Sequence, residues 1–235
     1  MSEIYEPHIL SPTFREFGAG AVSVLTDVRM GGCDYGDMRT IADEQEMARG
    51  EVPGPVPVLC SDLVVDKVQL ARAKMGGAVG VKLEMDVLGA EGVKDLMAKA
   101  GRVGMESIVQ ATTLEEVVSA VSLGASIVSV SSAADVEEKR SWRASIPDGV
   151  TAVCCVYANA DKALGEVEDA WRLRDGGYHA VWASDCLYKS GNDPTEHAGA
   201  VIKAMKAKSS VKYASPRSKS GKGEGSREYL GDIMM

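Results

Sequence analysis

The stretch Thr151-Ala152-Val153-Cys154-Cys155-Val156-Tyr157 is a nearly continuous apolar run of strand length. A strand that is apolar on both faces is typical of a parallel sheet covered by helices. Other candidate strands occur at intervals before and after it, at residues 21–26, 56–60, 78–83, 106–111, 126–131 and 180–184. Amphipathic helical patterns separate these runs, so the chain is predicted to be built from βαβ units.

The predicted helices have recognisable ends. Thr112 and Thr113 precede two glutamates, which is typical of a capped helix N-terminus with acids at its positive end. Gly104 and Gly124 follow helical patterns at points where a left-handed cap is needed. The helical patterns cover residues 37–49, 66–75, 90–103, 114–123, 160–174 and 194–208.

A closed (β/α)8 barrel needs eight strands, whereas these patterns predict seven. The remaining β-prone segment, residues 210–214, would close the barrel between the last and first strands. Without it two strand edges stay open, which is an aggregation liability. We therefore expect an α/β fold, a (β/α)8 TIM barrel, with barrel units in residues 1–209, a closing strand in 210–215 and a basic Ser/Gly-rich tail in 216–235. The alternative is that the whole C-terminal segment is disordered.

The composition is that of a soluble globular protein, with 45% hydrophobic and 26% charged residues in 235. A formal net charge of −8 argues against nucleic acid as a partner. No apolar run approaches the roughly 20 residues that span a bilayer, and the first residues show no secretory signal. We expect a soluble protein of a reducing compartment, either the cytoplasm or an organelle stroma such as that of a plastid.

The cysteines form no CxxC or Cys/His metal pattern, so no metal site is predicted. Most of them lie in or beside apolar runs, where a thiol behaves as a small buried hydrophobe. No GxGxxG fingerprint is present, and no cofactor is expected. The five cysteines are Cys33, Cys60, Cys154, Cys155 and Cys186.

A segment near the C-terminus, Val211-Lys212-Tyr213-Ala214-Ser215-Pro216, resembles the opening strand of the indole-3-glycerol-phosphate synthase family. In that family the strand lies near the N-terminus. Further segments resemble the family's second, third, fifth and eighth strands in order, so the resemblance implies a circularly permuted TIM barrel. These segments are residues 21–32, 57–66, 104–125 and 177–194.

The resemblance also implies a chemistry, because the family decarboxylates and cyclises a phosphorylated anilino-sugar and then removes water. That reaction needs a cationic acid and carboxylates. Ser61 occupies the position of the family's lysine after the third strand, and Gln110 occupies that of the glutamate in the fifth. Ser131 replaces an asparagine and Ser210 replaces the opening-strand glutamate. A hydroxyl cannot act as a cationic acid and an amide cannot take a proton at neutral pH, so no catalytic residue is predicted.

The family's phosphate-binding groups differ as well. Cys155-Val156-Tyr157 and Ser184-Asp185-Cys186 stand where the family has glycine-containing groups after its last two strands. Lys212 and Ser215 do match the family, and the resemblance implies a residual small-anion site there. The alternative is that these two residues persist only for strand and turn geometry.

Two other groups of charged residues have separate interpretations. Lys82 and Glu84 alternate along one predicted strand, so they share a face and could form a buried ion pair able to do acid–base chemistry. The run Glu137-Glu138-Lys139-Arg140 is interpreted as a solvated helix face.

The leading hypothesis is a catalytically degenerate barrel that serves as a structural or binding subunit and has protein partners in a larger assembly. Its expected contact elements are residues 1–12 and 206–228. The alternative is an active indole-3-glycerol-phosphate synthase, a carbon–carbon lyase of tryptophan biosynthesis. A third hypothesis is another phosphate-handling enzyme that uses Lys82, Glu84 or Lys212.

Overall fold

A computed structural model describes residues 6–30, 32–158, 165–188 and 194–207. The described part contains a single sheet of seven parallel strands in the order of the chain, β1 to β7. The strands are β1 (Val22–Val24), β2 (Val58–Cys60), β3 (Gly80–Glu84), β4 (Glu106–Ala111), β5 (Ile127–Val130), β6 (Thr151–Val156) and β7 (Ala180–Ala183). The predicted α/β fold and its seven strands are confirmed.

Eight helices of the described residues accompany the strands. They are α1 (Pro7–Glu16), α2 (Tyr35–Met47), α3 (Lys67–Met75), α4 (Met85–Arg102), α5 (Leu114–Ser122), α6 (Val136–Trp142), α7 (Gly165–Asp175) and α8 (Pro194–Lys206). One helix precedes β1 and one follows each strand, so the sheet curls with its helices on the outside, as in a TIM-barrel-like fold.

Local signals explain several of the helix boundaries. The Thr113 hydroxyl accepts a hydrogen bond from the Glu116 N–H, as the predicted cap requires. Helix α2 begins two residues before its predicted start because Asp34 forms a capping box with Asp37. Gly104 and Gly124 both have positive φ, 67° and 83°, which fits their predicted role at helix ends.

Helix α4 differs from the prediction, since it begins at Met85, directly after β3. Gly89 interrupts it with a non-helical backbone, φ 62° and ψ 174°. The predicted helix, residues 90–103, therefore corresponds to the part beyond this break. The first turn escaped the sequence analysis because it follows the strand without an intervening loop.

The buried core lies between the sheet and the helices. Val81 and Leu83 of β3 pack against helix side chains, and Val109 and Ala111 of β4 do the same. Two clusters of buried side chains fill this layer, and Phe14, Leu88 and Met97 pack against both. Because strand side chains alternate between faces, the residues between these core positions point to the inside of the curled sheet.

Helix α1 packs against both α2 and α8, which joins the first and last described helices. The Phe17 ring, just after α1, lies directly against Gly199 of α8. Trp171 of α7 donates from its indole N–H to the Ala204 carbonyl, 3.0 Å away, and ties α7 to α8. Helices of the two chain halves therefore meet, whereas β1 and β7 stand at opposite ends of the strand order.

The predicted closing strand, residues 210–214, and the tail lie outside the described residues. All five cysteines are free; Cys33 is partly exposed and the other four are buried. None of the helices in the described ranges is both long and apolar enough to cross a membrane.

Candidate functional site

The polar side chains of interest lie on the inner face of the sheet, towards the carboxyl ends of β3 to β6. In this fold class the catalytic and binding groups occupy that end of the strands. The register pairs Glu84 of β3 with Gln110 of β4, and Gln110 with Ser129 of β5. Since core residues alternate with these positions, the three side chains share one layer inside the sheet.

The predicted pair of Lys82 and Glu84 is present. The Lys82 ammonium lies 2.6 Å from Glu84 Oε1, and the two side chains are only 17% and 14% exposed. The other oxygen of Glu84 accepts a 2.6 Å hydrogen bond from the Gln110 amide. Both oxygens of this carboxylate are therefore engaged, one by a cation and one by a neutral donor.

A thiol continues this network across the sheet. Cys155 of β6 donates weakly to the Gln110 carbonyl oxygen over 3.9 Å, and its sulfur lies 3.7 Å from the Ser129 hydroxyl. Burial raises the pKa of the Cys155 thiol, although neighbouring hydroxyls and the charge of Lys82 act in the opposite direction. Cys155 is therefore a neutral thiol rather than a ready nucleophile.

A second polar cluster lies where β5 and β6 end. The Ser131 hydroxyl is 2.5 Å from the Tyr157 hydroxyl, and the Lys139 ammonium of α6 lies 5.3 Å from the centre of the Tyr157 ring. Burial is the main cause that raises the pKa of Tyr157, so this phenol stays protonated at neutral pH.

The sequence interpretation of Lys139 was wrong, because the side chain is buried and not on a solvated face: the residue is only 6% exposed. The sequence contains a pattern that indicates the burial of position 139. Position 139 lies three residues after Val136 and three before Trp142, which is the spacing of one helix face. Trp142 belongs to the core around β4 to β7, and the partly buried Val136 packs against that core.

The other predicted positions are distributed as follows. Ser61 is partly buried just after β2, and its N–H donates to the Val24 carbonyl of β1. The neighbouring Asp62 accepts a 3.0 Å hydrogen bond from the Thr26 hydroxyl. Ser210, Lys212 and Ser215 lie outside the described residues, so the implied anion site there stays a prediction.

Hydrogen bonds between side chains and backbone groups join the carboxyl end of β6 to the residues that follow β7. The Ala158 N–H donates to the Asp185 carboxylate over 3.1 Å, and the Cys186 thiol donates to the Val156 carbonyl over 3.8 Å. Burial raises the pKa of Cys186 to about 12. These contacts use side chains where the resemblance implies phosphate donors. No group of three or more possible metal ligands occurs in the part of the chain that the structure describes.

Comparison with solved structures supports the fold. Tryptophan synthase subunit alpha from Legionella pneumophila str. Paris superposes with a TM-score of 0.62, at 14% identity, over 84% of this chain and 84% of that chain. A structure described as "Native KDPGal structure" gives the same TM-score at 15% identity, over 86% and 87% of the two chains.

Comparison with known sequences points to one family, whereas the structural comparison supports only the fold. The chain is 30% identical over 126 residues to the indole-3-glycerol phosphate synthase of Leptospira interrogans serogroup Icterohaemorrhagiae serovar copenhageni. It is 36% identical over 131 residues to that of Roseiflexus castenholzii. Each match covers 54% of this chain and 46% of the relative, so the chain spans about half the length of the curated relatives it matches.

A family model described as indole-3-glycerol phosphate synthase matches residues 1–135, more than half of the chain. The matched range contains the first five strands, with Ser61, Gln110 and Ser131 at or beside strand ends. The chain therefore belongs to the indole-3-glycerol phosphate synthase family.

Proposed function

We propose that this chain is a catalytically degenerate member of its family that works as a structural or binding subunit. One observation carries the proposal. Gln110, which stands at the position of the family's strand glutamate, is an amide hydrogen-bonded to Glu84, and Glu84 is itself paired with Lys82. The position that should hold a base therefore holds a neutral donor.

The neighbouring groups do not restore that base. Both oxygens of the Glu84 carboxylate are already engaged, one by the Lys82 ammonium and one by the Gln110 amide. Burial raises the pKa values of Cys155 and Tyr157, which keeps both groups neutral. General acid–base catalysis needs a group that is free to take a proton near the working pH, and among the described residues at this position Gln110 is an amide and Glu84 is engaged at both oxygens.

An active indole-3-glycerol phosphate synthase is the second candidate, and one observation favours it. The Lys82 ammonium lies on the inner face, and its charge acts on Cys60 of β2 as well as on Cys155 of β6. A cation placed between these strands could replace the acid that Ser61 cannot supply. This candidate predicts that Lys82→Met abolishes turnover.

The two candidates separate in a steady-state assay with the phosphorylated anilino-deoxyribulose substrate, with the Leptospira interrogans relative as positive control. If the barrel is catalytically degenerate, we expect no turnover above the buffer blank. We also expect that Ser61→Lys with Gln110→Glu stays inactive, because phosphate donors would still be missing. Turnover that depends on Lys82 would establish the second candidate instead.

The subunit role rests on a retained scaffold without the family's reactive groups. We propose protein partners, with contacts through residues 1–12 and 206–228, and a reducing compartment such as the cytoplasm, which suits five free cysteines. Size measurement in native extract, before and after deletion of residues 216–235, tests the assembly. A strictly monomeric chain, or a complex unaffected by the deletion, would contradict it.

A further inference from the structure

Helix α3 is apolar on two opposite faces. Leu70 and Ala73 lie in the core, whereas Val68, Ala71 and Met75 follow one another at helical spacing on the exposed side. Val68 is 52% exposed and Met75 is 78% exposed. The outer face of a helix normally carries polar side chains, so a contiguous apolar stripe there indicates a contact surface. These three exposed residues are called the α3 stripe below.

The α3 stripe is bordered by positive charge. Lys67 and Lys74 lie on one side of it and Arg72 on the other, and all three are exposed. Helix α3 contains no acidic residue between its first and last residues, although the whole chain has a formal net charge of −8. A surface that fits this helix therefore combines apolar side chains with acidic ones.

The chain itself carries such a surface on α5. Leu114 and Val118 are four residues apart and are 37% and 51% exposed, and they are called the α5 stripe below. Glu115 is exposed on the same side of the helix, whereas Val117 and Ala120 are buried on the other side. Helix α5 contains no basic residue. Helices α3 and α5 thus both turn an apolar stripe to solvent, and their charges have opposite signs.

Within one chain these stripes do not meet, because α4 lies between the two helices and packs against both. A second copy of the chain removes this obstacle. We propose that the chain self-associates, with the α3 stripe of one copy packed on the α5 stripe of the next. Opposite charges favour the encounter, and burial of the apolar side chains stabilises the contact.

This contact goes beyond the proposed function, because an active barrel and an inactive one would both form it. It also uses neither of the end segments proposed above as contact elements. Since the two surfaces differ, the contact is head-to-tail, and each added copy leaves one stripe of each kind open until a ring closes. A single helix pair buries less than the roughly 1,600 Å² of a standard interface, so we expect reversible association.

The test is sedimentation velocity of the full purified chain over a range of concentrations. We expect oligomers larger than a dimer, which dissociate on dilution and as the salt concentration rises. Val68→Asp and Val118→Lys should each weaken association about tenfold or more, because each places a charge in the apolar contact that repels the opposing helix. The matched control is Val52→Asp, at a valine that is 98% exposed and outside both stripes, which should associate like the parent.

A mixture of the two variants gives the sharpest readout. Val68→Asp keeps its α5 stripe and Val118→Lys keeps its α3 stripe, so together they should form a dimer through one intact contact and nothing larger. Thermal unfolding shows first that each variant is folded; Ala71→Asp or Leu114→Lys replaces one that is not. The proposal is overturned if the parent stays monomeric, if the single variants associate like the parent, or if the two variants form no dimer when mixed.

Discussion

At the scale of single residues, the ion pair of Lys82 and Glu84 is the most consequential contact on the inner face. Glu84→Gln removes the counter-charge of an ammonium that is only 17% exposed. We expect it to lower the free energy of unfolding by about 1–3 kcal/mol, because a largely buried charge loses its partner. Urea unfolding measures the change.

The matched control for that substitution is Asp95→Asn, which breaks the exposed pair with Lys99 on α4. Exposed pairs of this kind contribute roughly 0.5 kcal/mol or less. Equal effects of the two substitutions would contradict the interpretation of Lys82–Glu84 as a shielded pair.

Two buried thiols make the free energy of unfolding depend on pH in the alkaline range. Burial raises the pKa of Cys154 and of Cys186 to about 12, from an ordinary value of 9.0. Between these values the unfolded chain loses protons that the folded chain keeps. The contribution of the two thiols to the free energy of unfolding is therefore complete below about pH 9. It declines as the pH rises to about 12, by up to about 1.4 kcal/mol per pH unit for each thiol.

The measurement is urea unfolding at several pH values across that window, for the parent and for Cys154→Ala with Cys186→Ala. The double variant should show a flatter decline with pH, although its stability at neutral pH is lower because cavities replace the thiols. Parallel curves for the two proteins would show that these thiols do not titrate as described.

At the scale of elements, the contact between α1 and α8 depends on the absence of a side chain at Gly199. A Cβ at that position would lie 2.6 Å from a Phe17 ring carbon. Although Gly→Ala within a helix gains about 1 kcal/mol from propensity, overpacking costs about 1–3 kcal/mol. We expect Gly199→Ala to lower the unfolding temperature.

In a Phe17→Ala background the same substitution should be neutral or stabilising, since the ring is gone and only helix propensity remains. The four proteins of this double-mutant cycle need only thermal unfolding curves. If Gly199→Ala stabilised the protein with Phe17 present, α1 would not be packed on α8 as described.

The strands and helix ends were the features that the sequence predicted best, because they depend on local sequence. Continuous apolar runs identified the strands, and Thr113 and Gly104 marked helix ends through their own backbone chemistry. The pairing of Lys82 with Glu84 followed from the alternation of a strand. By contrast, the link from Gln110 to Cys155 joins β4 to β6 and depends on tertiary packing that no local pattern encodes.

At the scale of the whole molecule, we propose that residues 210–214 form an eighth strand between β1 and β7. Two observations support it: α1 meets α8, and β1 and β7 are the two ends of the described sheet. The interval from Lys206 to Ser210 is also of ordinary length for a helix-to-strand connection, about 2–6 residues.

Two truncations test this strand. Deleting residues 216–235 should leave a folded, monodisperse protein, because the strand is kept. Deleting residues 208–235 should lower the free energy of unfolding and promote aggregation, since both sheet edges would lose their neighbour. Equal stability of the two truncated proteins would argue against closure by this segment.

The central claim is that this family member has lost its reaction, and single-turnover kinetics test it most directly. Enzyme in large excess over the phosphorylated anilino-deoxyribulose substrate removes any limit from slow product release, so only chemistry is observed. Losing one preorganised catalytic group costs about 10²–10³ in rate, and the resemblance to the family implies that several are replaced in this chain. We predict no indole product above the uncatalysed background; product formed at an ordinary enzymatic rate, and abolished by Lys82→Met, would contradict the account.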